Sequence, residues 1–217
     1  MLALAGMSLA ARADVILDTF NDRGSSFWPR STTVTDPSAV ATVAESASHV
    51  AGGKRLEGIG TSAMDVENFD AATVDINNSS GYSFLDYRSS VGAAATVELG
   101  YGQSSALNLA GANALKIAFL NYDLAQSGPL VISAAVAHGA NTPVHYSINV
   151  AAPGAQTVTL PLTGFSSSLD TVVLDFVAPK GTDYRIDSIS VAVPEPAALA
   201  LLALGLPLLL KRRSRAA

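Results

Sequence analysis

The feature that most constrains this chain is its cadence. Between residues 14 and 193, short runs rich in Val, Ile, Thr, Tyr and Phe alternate with clusters of Gly, Pro, Asn and Ser, and no long helical period intervenes. The runs are Val15–Phe20, Ser31–Thr35, Val40–Ala44, Lys54–Ile59, Ala72–Ile76, Tyr82–Tyr87, Ala94–Tyr101, Leu115–Asn121, Leu130–His138, Val144–Val150, Gln156–Leu160, Thr171–Val177 and Tyr184–Val193. The breaks include 51–53, 77–81, 127–129, 139–143, 152–154 and 179–181. Strands at this spacing, several with apolar residues at every second position, predict an all-β domain, a β-sandwich of the jelly-roll type. In Tyr184–Val191 the alternation slips phase between Ile186 and Ile189, which predicts a β-bulge at Asp187–Ser188. Ser104–Gly111 fits either a short helix or a loop.

Composition narrows the function. With 49% hydrophobic and only 14% charged residues, the chain is not a charge-rich disordered protein. It has no Cys, hence no disulfide, thiol nucleophile or Cys-ligated metal. The formal charge of −5 hides an asymmetry: residues 14–193 hold 8 basic and 17 acidic side chains, a net −9. Such a surface repels phosphates, so nucleic acid is not an expected partner.

The two ends read as addresses. Residues 1–11 are apolar or small, and Ala11-Arg12-Ala13 has the small-x-small form of a signal-peptidase site, so residues 1–13 are expected to be a signal-peptide remnant. At the other end Pro194-Glu195-Pro196 precedes an apolar run, 197–210, and then Lys211, Arg212, Arg213 and Arg215 in a basic tail, 211–217. Fourteen apolar residues are fewer than the roughly 20 of an untilted span. Basic residues, however, stop transfer and stay cytoplasmic, and their long stems extend the apolar length by snorkelling. A short transmembrane helix over 197–210 is therefore expected. Pro194 and Pro196 lack backbone donors and keep the preceding segment extended and outside that helix.

The order of these parts (Pro-Glu-Pro, short Leu/Ala helix, Arg-rich end) resembles the PEP-CTERM sorting signal of Gram-negative bacteria, over residues 193–217. The resemblance implies an exosortase, a transpeptidase-like membrane enzyme, as processing partner. It also implies export, transient anchoring in the inner membrane, release to the cell surface or extracellular matrix, and an association with exopolysaccharide and biofilm.

A looser resemblance covers residues 14–192. Leu17-Asp-Thr-Phe20, Gly52-Gly-Lys-Arg-Leu56, Leu107–Leu115 and Tyr184–Ser190 follow one another as in galactose-binding-like jelly rolls, which include carbohydrate-binding modules. That family implies a lectin-like fold in which a structural calcium often ties the first strand to the last. Asp18 and Asp187 occupy the matching regions and are the expected calcium ligands. Aromatic platforms are typical of sugar recognition; Trp28, Tyr101, Tyr122 and Tyr146 are candidates, and Trp28, beside Pro29 in a polar segment, is the expected glycan contact.

Catalytic chemistry has little to stand on. His49, His138 and His145 lack the company a zinc site needs, although His138 and His145 flank one turn. There is no Gly-x-Ser-x-Gly elbow, and Gly58-Ile-Gly60 and Gly100-Tyr-Gly102 lack the context of a phosphate loop. Asp65, Glu67 and Asp70 cluster, as do Asp183 and Asp187, but acids of an acidic domain are ordinarily solvated. The expectation is a non-catalytic exported surface or matrix protein; the alternative is a carbohydrate-binding module that recognises exopolysaccharide.

Overall fold

The computed structural model describes residues 12–21, 31–34, 40–46, 50–63, 71–79, 82–123, 128–150 and 152–194. They form thirteen strands: β1 (Arg12–Asp18), β2 (Ser31–Val34), β3 (Val40–Ser46), β4 (Lys54–Ala63), β5 (Ala72–Ser79), β6 (Tyr82–Ser89), β7 (Ala94–Tyr101), β8 (Ala114–Asp123), β9 (Leu130–Ala137), β10 (Val144–Val150), β11 (Gln156–Pro161), β12 (Thr171–Ala178) and β13 (Asp183–Pro194). One sheet runs β11-β8-β13-β6-β5-β2, with β1 also on β13; the other runs β10-β9-β12-β7-β4-β3. Every pairing is antiparallel. The described residues thus have the all-β, two-sheet architecture the cadence predicts.

Alternation explains the layering. On β7, Ala95, Val97 and Leu99 are buried while Thr96 and Glu98 are only partly so, and on β12 Val172, Leu174 and Phe176 point inward between Val173 and Asp175. The inner faces enclose an aromatic cluster in which Tyr87 and Tyr184 stack at 4.7 Å and Phe119 meets Tyr184 edge-on at 6.0 Å. Fully burying such a ring is worth about 1.5–3 kcal/mol. The Tyr184 hydroxyl lies in this core with no hydrogen-bond partner among the described residues.

Three local readings are settled. The register of β13 against β8 shifts between Ile186 and Ser188, so Asp187 is the bulged residue. The first strand ends at Asp18 rather than Phe20. Asp18 Oδ1 accepts the Phe20 N–H at 2.7 Å, and Phe20 adopts φ 54°, a left-handed turn that no strand continues through. Ser104–Gly111 is irregular and not helical, tied down by an isolated bridge between Leu109 and Leu169.

The ends of the domain differ from the sequence reading by two residues. β1 begins at Arg12, inside the expected signal remnant, and pairs Arg12 with Pro194 and Ala13 with Val193. β13 correspondingly runs to Pro194, the first residue of the Pro-Glu-Pro motif. Among the described residues no helix is long and apolar enough to cross a membrane; the segment 197–210 lies outside them.

Candidate functional site

Three polar clusters stand out, and two are fastened to themselves. The first is internal. Asp18 is 1% exposed and its Oδ2 accepts Arg55 Nη1 at 2.7 Å and the Tyr101 hydroxyl at 3.2 Å. Arg55 is fully buried, with its guanidinium 5.5 Å from the centre of the Phe20 ring. Burial pushes the Tyr101 hydroxyl up strongly, and the Asp18 charge adds to it. The segments Leu17–Phe20 and Gly52–Leu56 therefore meet through an ion pair that closes the sandwich. The second cluster lies on the outer face of the β1-containing sheet, where Asp86 is gripped by Arg88 and by Arg185 Nε at 3.2 Å, and Arg185 stacks over Phe84 at 5.3 Å.

The third cluster is unfastened. It occupies the outer face of the other sheet, where side chains are small and strand registers place them in rows. Glu98 on β7 stands opposite Asp175 on β12; Asp175 stands opposite Ser133 on β9, and Ser133 opposite Ser147 on β10. The next row holds Thr96, Val177, Val131 and Asn149, and Gly58 and Gly60 of β4 extend both rows without a side chain. Directly opposed residues on one face have Cβ atoms about 4.5–5.5 Å apart, so the two carboxylates are neighbours. Neither makes an ion pair or hydrogen bond among the described residues. Partial burial raises the Glu98 pKa, and the Asp175 charge adds to it. Burial likewise raises Asp175, opposed by the charge of His145. This face presents two partly desolvated acceptors beside hydroxyl and amide groups, and β4 adds no side chain to either row at Gly58 and Gly60.

The sequence-predicted residues fall as follows. The register sets Asp18 opposite Ile189, two residues from Asp187, but the two side chains have different surroundings. Asp18 faces inward, with Arg55 as its positive partner, whereas Asp187 is exposed and its Oδ2 accepts the Ser188 hydroxyl at 3.3 Å. No group of three or more His, Asp or Glu side chains that could hold a metal occurs among the described residues. Tyr101 and Tyr122 are not platforms. Both are fully buried, Tyr122 accepting the Leu130 N–H at 3.0 Å; Tyr146 packs partly against the core, its hydroxyl 3.3 Å from the Thr163 carbonyl. His138 and His145 do not share a partner: His138 Nδ1 lies 2.7 Å from Asp170, while His145 stands on β10 opposite Ala135. Pro194 ends β13; Trp28, His49, Asp65, Glu67, Asp70, Glu195, Pro196, Lys211, Arg212, Arg213 and Arg215 lie outside the described residues.

Sequence reasoning missed Glu98 and Asp175. The available signal was period 2: each is a carboxylate between two apolar residues of a clean alternation, Val97-Glu98-Leu99 and Leu174-Asp175-Phe176, which puts both on the outer face. Their register across two strands 77 positions apart in the chain is a product of the fold alone.

Comparison with known proteins yields structures but no family. No family model and no curated protein matches this chain. Solved structures similar to it include the enzymatically active domain of tailspike protein 4 of bacteriophage CBA120 (TM-score 0.41, 12% identity, 63% of this chain). Also similar are a family 29 carbohydrate-binding module, CBM29-2, in complex with mannohexaose (0.38, 14%, covering 72% of this chain and 92% of the module) and the family 11 carbohydrate-binding module of the cellulase Lic26A-Cel5E of Clostridium thermocellum (0.38, 10%, 85% and 96%). This chain spans about a fifth of the tailspike domain and of PfGH50B, another of these structures, but nearly all of each module's length. The described residues form two antiparallel sheets without a helix, and one sheet presents an unfastened polar face.

Proposed function

We propose that this chain is a non-catalytic, exported carbohydrate-binding sandwich, delivered to the cell surface or matrix by a PEP-CTERM-type tail and an exosortase-type enzyme. The observation that carries the binding half is the Glu98–Asp175 row. Sugar hydroxyls are hydrogen-bond donors, and charge-assisted bonds to carboxylates are about twice as strong as neutral ones. A carboxylate already paired with Arg, such as Asp86, has little left to offer; Glu98 and Asp175 offer theirs on a face whose small side chains admit an extended polymer. The same charges repel uronates, so the ligand class is a neutral polysaccharide. The sorting half rests on the order of motif, apolar run and basic tail, and places exopolysaccharide within reach.

The test is a panel of neutral and acidic polysaccharides titrated into the chain and followed by calorimetry. The expected result is binding to a neutral polymer and none to a polyuronate. Polyuronate binding, or binding untouched by Glu98→Gln with Asp175→Asn, would reject the assignment. For the sorting half, mass spectrometry of surface-released protein should find chains lacking the basic tail; an intact Arg215 on that material contradicts it.

A further inference from the structure

Both described ends of the chain leave the sandwich at one place. Arg12 is paired with Pro194, and the registers put several links at that same end. Ala114 at the start of β8 faces Ala192, Pro161 at the end of β11 faces Ala114, and Tyr101 at the end of β7 faces Arg55 near the start of β4. Thr171 at the start of β12 faces Ala137 at the end of β9. The links 102–113, 138–143 and 162–170 therefore open beside the termini. They are stitched together: Leu107 N–H donates to Asp170 O at 2.9 Å, Leu162 N–H to Asn113 O at 2.8 Å and Asn113 N–H to Ala192 O at 3.0 Å.

The chemistry of this end is distinctive in a domain of net −9. The three links contain one acid, Asp170, which is buried; their exposed residues are Ser, Thr, Asn, Gln, Ala, Gly, Pro and His138. Asp14, the exposed acid of β1, is bonded to Lys116 at 2.7 Å.

We propose that this end of the sandwich is a docking surface for the lipid headgroups of the membrane that takes up residues 197–210. The inference rests on reading that apolar run as membrane-inserted and goes beyond it to the orientation of the domain. The argument is the length of the tether. From Pro194, fixed in the sheet opposite Arg12, to Ala197, the first residue of the apolar run, the chain makes three steps, about 10–11 Å at full extension. A bilayer of about 40–45 Å with a hydrocarbon core of about 30 Å has roughly 5–8 Å of headgroup on each side. With Ala197 at the hydrocarbon edge, Pro194 stands no more than a few ångströms above the headgroups, so the neighbouring links touch them. An anionic surface tolerates that contact because the links present no exposed carboxylate.

The absence of Cys makes the test direct. Single cysteines are placed at Asn141 or Ser166 on the proposed surface, and at Val91 or Pro153 at the opposite end, in the full chain. Each is labelled with a fluorophore and reconstituted into vesicles of phosphatidylethanolamine and phosphatidylglycerol carrying a headgroup quencher. Labels at Asn141 and Ser166 should be quenched at least threefold more than those at Val91 and Pro153. A ten-residue Gly/Ser insertion after Pro194 should abolish most of that contrast while the protein still floats with the vesicles. Equal quenching of the two ends in floating protein, or contrast that survives the insertion, overturns the docking surface. Failure to float at all overturns the membrane reading of 197–210 and the docking surface with it.

Discussion

At the scale of single residues, the chain uses its acids in three ways that stability measurements separate. Asp18 is committed to Arg55 in the interior. Removing one partner leaves a buried charge uncompensated, which costs roughly 3–5 kcal/mol, whereas replacing both with apolar groups of similar size is often far milder. Urea unfolding should therefore show Arg55→Met as strongly destabilised and Asp18→Leu with Arg55→Met as less so; equal losses would mean the pair is not the coupling agent. Asp170 is held below the usual carboxylate range, first by the Gly139 N–H at 2.8 Å and then by its bonds from His138 and Ser168. A depressed folded value means that its contribution is present above the ordinary carboxylate range and is lost as pH falls through the folded value. The stability gap between wild type and Asp170→Asn should be constant from pH 7 to 5 and shrink towards pH 2; a gap that persists in acid contradicts this. Glu98 and Asp175 carry the opposite sign. Their raised values mean the folded domain is penalised when they are ionised and relieved when they are protonated. Glu98→Gln is expected to stabilise the domain by a few tenths of a kcal/mol at pH 7, since opposed like charges on strands destabilise on that scale, and by nothing below pH 4. Such a gain at a residue on which the proposed binding depends is the mark of a site kept for function.

At the scale of elements, the strands were legible and their pairing was not. Runs of β-favouring residues between turn clusters, several with period-2 alternation, located the thirteen strands to within a few residues, and the phase slip in Tyr184–Val191 marks the bulge at Asp187–Ser188. What remained hidden depends on contacts between distant segments. The ion pair of Asp18 with Arg55 spans 37 positions, and nothing local in either segment distinguishes a buried arginine from a surface one. Tyr101 and Tyr122 misled because a tyrosine next to a turn reads as exposed until its strand is placed; both rings instead fill the core and bond their hydroxyls inside it. Tyr184 shows the converse, a buried hydroxyl without a partner, so Tyr184→Phe should be neutral or stabilising by up to about 1 kcal/mol in thermal melts. The crossing between β7 and β8 depends on Gly102, at φ +78°, where a Cβ would meet the Asp170 carbonyl at 2.1 Å. Gly102→Ala combines a left-handed backbone with a backbone clash, and a loss on the order of 3 kcal/mol is expected.

At the scale of the whole molecule, the two sheets divide their labour. The sheet holding β1 and β13 carries both ends of the described chain and neutralises Asp86 with Arg88 and Arg185. The sheet from β10 to β3 leaves Glu98 and Asp175 on a face of small side chains, away from the strands that lead to the termini. If the domain is held through β13, as proposed, the face with Glu98 and Asp175 is on the other sheet. The measurement that tests this most directly is a calorimetric titration of three proteins with the neutral polysaccharide bound best by wild type: the wild-type chain, the Glu98→Gln, Asp175→Asn double variant, and Arg88→Ala on the opposite face. The account predicts at least a tenfold loss of affinity in the double variant, about 1.4 kcal/mol or more, with Arg88→Ala unchanged. Wild-type affinity in the double variant, or a loss confined to Arg88→Ala, would contradict it.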